Sequence, residues 1–322
     1  MLQHASQTVG SSDWDARSVF QHKSFTQEAP WDLGSLLLIN MLFKETGRSA
    51  ERIFDMKKIG FIGCGNMGGA LALATAKEVS GEQIFLCDAF KNKAEILAGK
   101  CGAKVTEAKI IADKCEYIFL GVKPQGFEAL FEEIGDTLRS RKDEFVLISM
   151  AAGISVSNIE SLLNCNASII RIMPNTPVLS GEGMILYAAN LNTSEEQIEF
   201  FKTILKAAGT LDELSEDKID AASALSGCGP AFVYMFAEAL ADGAVECGLP
   251  RDKAMLYAAQ TILGSAKLLL ESGKHPGELK DAVCSPGGTT IAGVHALESG
   301  SFRAVSMDAV KSAYQRTLQL KK

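Results

Sequence analysis

Lys58-Ile59-Gly60-Phe61-Ile62-Gly63-Cys64-Gly65-Asn66-Met67-Gly68 is the stretch that decides the fold. Its first five residues read as a short apolar strand and its last six are G-x-G-x-x-G; Gly69 to Val79 follow as a small-residue helix with Leu71, Leu73 and Ala74 to bury. Strand, glycine turn and helix start are the context in which this spacing binds a dinucleotide pyrophosphate. The first glycine makes the turn, the second lets the phosphate approach, and the third lets helix and strand pack. Gly63, Gly65, Asn66, Met67 and Gly68 are therefore candidate cofactor-binding residues.

A second strand, Gln83 to Cys87, ends in Asp88, twenty positions after Gly68. That spacing suits a carboxylate that accepts hydrogen bonds from an adenosine ribose and repels a 2′-phosphate. Lys91 and Lys93 either favour that phosphate or are solvated residues at a helix start. The balance leans to NADH and leaves NADPH open.

The alternation continues. Tyr117 to Val122 is a buried strand, then Lys123-Pro124-Gln125 and a helix over about 125–139; Phe145 to Ser149 is another, then Ala151-Ala152-Gly153-Ile154 and a helix over about 155–163; Ser168 to Met173 is a further strand. Strands separated by helices imply a parallel, doubly wound α/β sheet of Rossmann type. Gly121 to Pro124 and Ser149 to Gly153 then fall at the carboxyl edge, where such sheets bind ligands, and their small residues leave space for a flat ring. Lys123 either touches the ligand or positions its loop. Pro174-Asn175-Thr176-Pro177 makes a rigid turn, and Met184 to Tyr187 is expected as an added edge strand. Glu182, between them, either lines a site or is a turn residue.

From about Ser215 the strand signals vanish. Helices are expected from Gly229-Pro230, over about 251–271, over about 276–283, from Thr289, and over 302–320. Phe232, Met235, Phe236, Ala239 and Leu240 form an apolar stripe at helical spacing, and Ala237, Ala241 and Gly243 permit close helix contact. About 100 residues of Ala-rich helix imply a bundle that shares its core with a second subunit. Two glycine-rich loops break it. Ser285-Pro286-Gly287-Gly288-Thr289-Thr290 runs straight into a helix, with threonines placed to cap it and amides placed to bind a small anion. Leu225-Ser226-Gly227-Cys228-Gly229-Pro230-Ala231 has the same character, offering Ser226 Oγ and free amides. With the nucleotide site, they point to a small anionic substrate gripped mainly by backbone.

Composition bounds the rest. The chain has 322 residues, enough for two domains: 56–214 dinucleotide-binding and 215–322 helical, after a 1–55 extension expected to be poorly ordered. Hydrophobic residues make up 47% and charged residues 22%, as in soluble globular proteins. A net charge of -7 argues against nucleic-acid binding. Eight cysteines without a C-x-x-C pair imply neither a zinc site nor a disulfide framework, and fit the cytosol. No uninterrupted apolar run approaches the roughly 18–20 residues of a membrane span.

These motifs together resemble pyrroline-5-carboxylate reductase, from about Lys57 to Gln319. The resemblance rests on Ser285 to Glu298, Leu225 to Ala231, Gly121-Val122-Lys123-Pro124 and Pro174-Asn175-Thr176-Pro177. It implies NAD(P)H-dependent reduction of 1-pyrroline-5-carboxylate to L-proline and a dimer through interlocked C-terminal helices, often assembled into larger rings such as a decamer. It implies that Val122, Lys123, Pro124, Ala151 and Ala152 border the nicotinamide. Gly287, Gly288, Thr289 and Thr290 would hold the substrate carboxylate, with Ser226, Gly227, Cys228, Gly229 and Pro230 beside them. Two positions depart from the pattern: Cys228 replaces the usual serine, and Met235 stands where some members carry a threonine near the substrate nitrogen. A 3-hydroxyacid-type dehydrogenase would need a base or cation on the first helix of the second domain. Residues 230–247 contain no Lys, Arg or Asn. A non-catalytic nucleotide-binding module would leave both loops without a role.

Overall fold

The computed structural model describes residues 57–320; the expected 1–55 extension lies outside them. Eight strands form one sheet in the order β3-β2-β1-β4-β5-β6-β7-β8. They are β1 (Ile59–Ile62), β2 (Ile84–Cys87), β3 (Lys104–Val105), β4 (Tyr117–Leu120), β5 (Val146–Ser149), β6 (Ser168–Pro174), β7 (Gly183–Ala189) and β8 (Gly209–Glu213). The first six run parallel in the 3-2-1-4-5-6 order of a dinucleotide-binding sheet. β1, β4 and β5 are buried along their whole length, as a sheet covered on both faces requires.

One face carries α1 (Asn66–Thr75), α2 (Lys91–Cys101) and α6 (Glu195–Ile204), packed on Ile59, Phe61 and Ile170. The other carries α3 (Ala108–Lys114), α4 (Phe127–Ser140) and α5 (Val156–Leu163), packed on Ile62, Ile118 and Ile169. Helix starts follow local chemistry: Ser155 and Ser194 close capping boxes with Asn158 and Gln197. α1 begins inside the glycine motif rather than at Gly69, because Gly65 is its N-cap.

β7 differs from expectation. It runs antiparallel to β6, and β8 pairs with its other side, so β8 and not β7 is the edge strand. β8, Gly-Thr-Leu-Asp-Glu, has too few apolar residues to announce itself as a strand.

The remaining helices are α7 (Glu216–Ser226), α8 (Gly229–Glu246), α9 (Arg251–Ser272), α10 (Pro276–Ala282), α11 (Thr289–Ser299) and α12 (Phe302–Leu320). α7 packs on β7 and β6, α12 packs on α7, and α8 pairs with α9. Beyond Ala224, the buried apolar residues of this region are Ala241, Ala254 and Ala258 alone among the described residues. The stripe expected as core is open in one chain: Met235 is 70% exposed, alongside Tyr234, Leu240, Leu256, Leu263 and Leu270. Burying one such side chain is worth about 1.5–3 kcal/mol, so this surface calls for a partner. By length and composition alone, Glu216–Glu246 is the one described stretch long and apolar enough to cross a bilayer. That stretch is broken at Gly227-Cys228 and carries Glu238 and Asp242.

Candidate functional site at the sheet's carboxyl edge

β1 is the point where the strand order reverses, with β2 on one side and β4 on the other. There Gly63 has φ +105° and donates its amide to the Cys87 carbonyl at 2.7 Å, while the Gly121 amide donates to the Ile62 carbonyl at 2.7 Å. A Cβ on Gly68 would collide with the Gly63 carbonyl oxygen, whereas one on Gly65 would meet nothing within 4 Å. Gly68 is thus fixed by packing and Gly65 by an open cradle above it.

α1 starts with no side-chain cap and no acidic residue in its first turn. The amides of Asn66, Met67 and Gly68 face that cradle without intrahelical partners. An uncapped helix start under an open glycine fits a pyrophosphate. Asp88 lies at the end of β2 as expected, but its carboxylate also holds the turn: Oδ2 accepts from the Cys64 amide at 2.7 Å and Oδ1 from the Phe90 amide at 2.8 Å. Each oxygen keeps a second lone pair for a ribose hydroxyl. Burial, then the neighbouring Asp88 charge, pushes the Cys64 thiol up to about 12, so it stays neutral beside the phosphate cradle.

The next two loops of the edge sit beside this turn. Lys123 is exposed and precedes the single turn Pro124–Gly126; Val122 is half-buried. Ala151 is buried and Ala152 is exposed. Glu182 is exposed, and its amide donates to the Pro177 carbonyl at 3.1 Å.

The two glycine loops correct their expected details. Ser226 closes α7, and the amides of Gly227 and Cys228 both donate to the Ser223 carbonyl, at 2.8 and 3.2 Å. Those amides are occupied because α7 winds on into the loop; what remains is the start of α8 at Gly229 and the Ser226 hydroxyl, buried and without a hydrogen bond. In the second loop Gly287 has φ +66°, and Gly288, not a threonine, is the N-cap of α11, with no side-chain cap bond. Thr289 and Thr290 lie in the first turn instead. The helix start is left with uncapped amides, a better anion site than a threonine-capped one. Among the described residues no hydrogen bond joins Ser285 to Thr290 with the sheet. Clefts of about 430 and 740 Å³, at Arg141-Phe145 and at Val156-Asn190, contain none of the candidate residues.

One cluster escaped the sequence. Arg171, the one charged residue of β6, bonds Asp220 and Glu216 of α7. The signal was present: an arginine between isoleucines, and two acids four residues apart on the next helix.

Residues 216–320 match the family model for pyrroline-5-carboxylate reductase dimerisation, and residues 58–153 match the model described as coenzyme F420-dependent NADP oxidoreductase. Pyrroline-5-carboxylate reductase 3 of Danio rerio is 43% identical over 266 residues, covering 82% of this chain and 91% of its own. The chain belongs to the pyrroline-5-carboxylate reductase family. The enzyme of Escherichia coli K12 is 40% identical over 83% of this chain and 99% of its own. Among solved structures, the Plasmodium falciparum pyrroline carboxylate reductase with NADP bound has a TM-score of 0.73 at 32% identity, covering 83% of this chain and 99% of that one. The Coxiella burnetii pyrroline-5-carboxylate reductase has a TM-score of 0.77 at 33% identity, with the same coverage. The helical region is thus a dimerisation domain, carried by an NAD(P)-dependent oxidoreductase.

Proposed function

We propose that the chain reduces the C=N bond of 1-pyrroline-5-carboxylate to give L-proline, the final step of proline synthesis, using NADH or NADPH. The observation that carries this is the pair of uncapped helix starts, at Asn66 on the sheet edge and at Thr289 in the helical region. One suits a dinucleotide pyrophosphate, the other a small carboxylate.

The nicotinamide, when bound, supplies the hydride that the imine carbon accepts. The chain's part is placement. Gly63, Gly65, Asn66, Met67 and Gly68 hold the pyrophosphate, Asp88 the adenosine ribose, and Val122, Lys123, Pro124, Ala151 and Ala152 border the ring. The first-turn amides of Thr289 and Thr290 hold the carboxylate, with Gly287 and Gly288 forming the turn that presents them and Ser226 and Gly229 beside them. The protonated imine is already electrophilic, so no strong side-chain acid is required; Met235, 70% exposed in one chain, has no proton to give. Orientation of two rings supplies several kcal/mol of the barrier reduction.

The division of labour follows the change of architecture: 56–214 for the dinucleotide, 215–322 for substrate and dimerisation. Because the Thr289 loop is exposed amid an unpartnered apolar surface, we infer that the carboxylate grip is finished by a second copy, with a homodimer as the minimal unit and larger rings such as a decamer built from it. All eight cysteines are free, which supports a cytosolic setting. The test is direct: mix the protein with pyrroline-5-carboxylate and NADH, then NADPH, and follow cofactor absorbance. Silence with both removes the reductase reading.

A further inference from the structure

β6 and the residue that follows it send two polar side chains across to α7 from one face. Successive strand residues alternate, so Arg171 and the residue four further on, Asn175, leave the sheet on the same side. Arg171 is 2% exposed; its Nη2 lies 2.9 Å from Asp220 Oδ1 and its Nη1 3.2 Å from Glu216 Oε1. That Glu216 oxygen also accepts from the Val156 amide at 2.8 Å, which ties the start of α7 to the start of α5.

Asn175 does the same for the other end of α7. It is 9% exposed, and both halves of its amide are engaged: Oδ1 accepts from the Met184 amide at 2.9 Å, and Nδ2 donates to the Ser226 carbonyl at 2.9 Å. The two contacts fix the amide's orientation, because one neighbour is a donor and the other an acceptor. Ser226 O is one of the last carbonyls of α7, which have no intrahelical partner. A single side chain, one residue past the end of β6, therefore joins β7 to the residue that opens the Ser226–Gly229 loop.

We propose that Asn175 is a positioning residue for the reduction: it holds the Ser226–Gly229 loop at the height above the sheet edge that brings the imine carbon to the hydride donor. This rests on reading that loop as part of the substrate site. The Arg171 pairs keep α7 docked when Asn175 changes, so its loss moves the end of the helix rather than detaching it. Asn175→Asp keeps the acceptor for Met184 but sets an oxygen against the Ser226 carbonyl; Asn175→Ser removes the reach to Ser226 with a smaller disturbance.

Wild type and both variants are compared as assembled proteins. NADH affinity is measured by fluorescence titration without substrate, then KM and kcat for pyrroline-5-carboxylate at saturating NADH. The expected result is an NADH Kd within about twofold of wild type, KM raised about tenfold, and kcat lowered about ten- to a hundredfold, the scale of a 1 Å misplacement. A purely structural role would lower the melting temperature and the number of active sites but leave KM unchanged, since KM does not depend on how much enzyme is active. Unchanged KM in the variants overturns the proposal, as does an NADH Kd weakened in parallel with KM. If Asn175→Asp yields no folded protein, the KM of Asn175→Ser decides alone; if neither variant folds, Asn175 is a folding residue and the proposal fails. A wild type that does not consume NADH with the imine defeats the functional reading itself, a different result from a normal wild type with indifferent variants.

Discussion

Gly63 and Gly121 face each other across the β1–β4 junction at a distance that admits no side chain: a Cβ on Gly63 would lie 2.6 Å from the Gly121 carbonyl, and one on Gly121 would lie 2.6 Å from the Gly63 oxygen. The obstacle is backbone on both sides, so no rotamer change relieves it. Gly121→Ala is expected to push the β4 loop off the phosphate turn, weakening NADH binding at least tenfold and lowering stability by about 1–3 kcal/mol. Titration of NADH fluorescence and thermal unfolding check both; native affinity in the variant would show that the two loops are not packed as described.

At α11 the proposed carboxylate donors are amides rather than hydroxyls, and one substitution separates the two. Thr289→Pro deletes an N–H at a position where proline fits the first turn, and Gly288, with φ -79° and ψ 172°, already has the extended conformation that precedes proline. A hydrogen bond to a charged group is worth about 1.5–3 kcal/mol. Thr289→Pro should therefore raise KM for the imine at least tenfold with NADH affinity intact, while Thr289→Val, which keeps the amide, should change KM far less. Steady-state kinetics on the two variants distinguish the cases.

Asp88 carries a charge where a 2′-phosphate would approach, and wild type is expected to prefer NADH. Asp88→Asn keeps a side-chain oxygen for the Cys64 amide and removes the charge. Repulsion of on the order of 1–2 kcal/mol is lost. The NADPH to NADH ratio of kcat/KM should rise about tenfold; a wild type that already strongly prefers NADPH contradicts this assignment.

Leu263, 56% exposed on α9, belongs to the surface assigned to the dimer. Leu263→Glu should dissociate the assembly at micromolar protein and abolish turnover, read by light scattering and by the absorbance assay. A stable, active dimer in this variant would move the interface elsewhere.

The interior of the sheet was legible because its strands are apolar runs. β1, β4 and β5 are buried on both faces, and burial on both faces leaves no polar alternation to confuse the reading. The glycine turn was legible because its three glycines each answer a different steric demand. The edges were not. Lys104-Val105 is too short to show a period, and Gly209 to Glu213 is polar because an edge strand faces water. The direction of β7 depends on its pairing with Ile170 to Pro174, a long-range fact that no local pattern carries. In the loops, the threonines after Gly288 look like caps, but the backbone places the cap one residue earlier. Cys228 looks like a donor until α7 is seen to wind on past Ser226. Asn175 reads as a turn residue in any local window; its partners lie 9 and 51 positions away.

The three buried alanines beyond α7 bear on how the protein comes into being. A newly made chain has a complete sheet but helices with almost no interior of their own. They acquire one only on meeting a sister chain, a second-order event whose rate rises with the square of the concentration of unpaired copies. Finished enzyme should thus accumulate slowly at low expression and disproportionately fast at high expression. Unpaired copies, with their leucines still in water, would be the ones that proteases remove first.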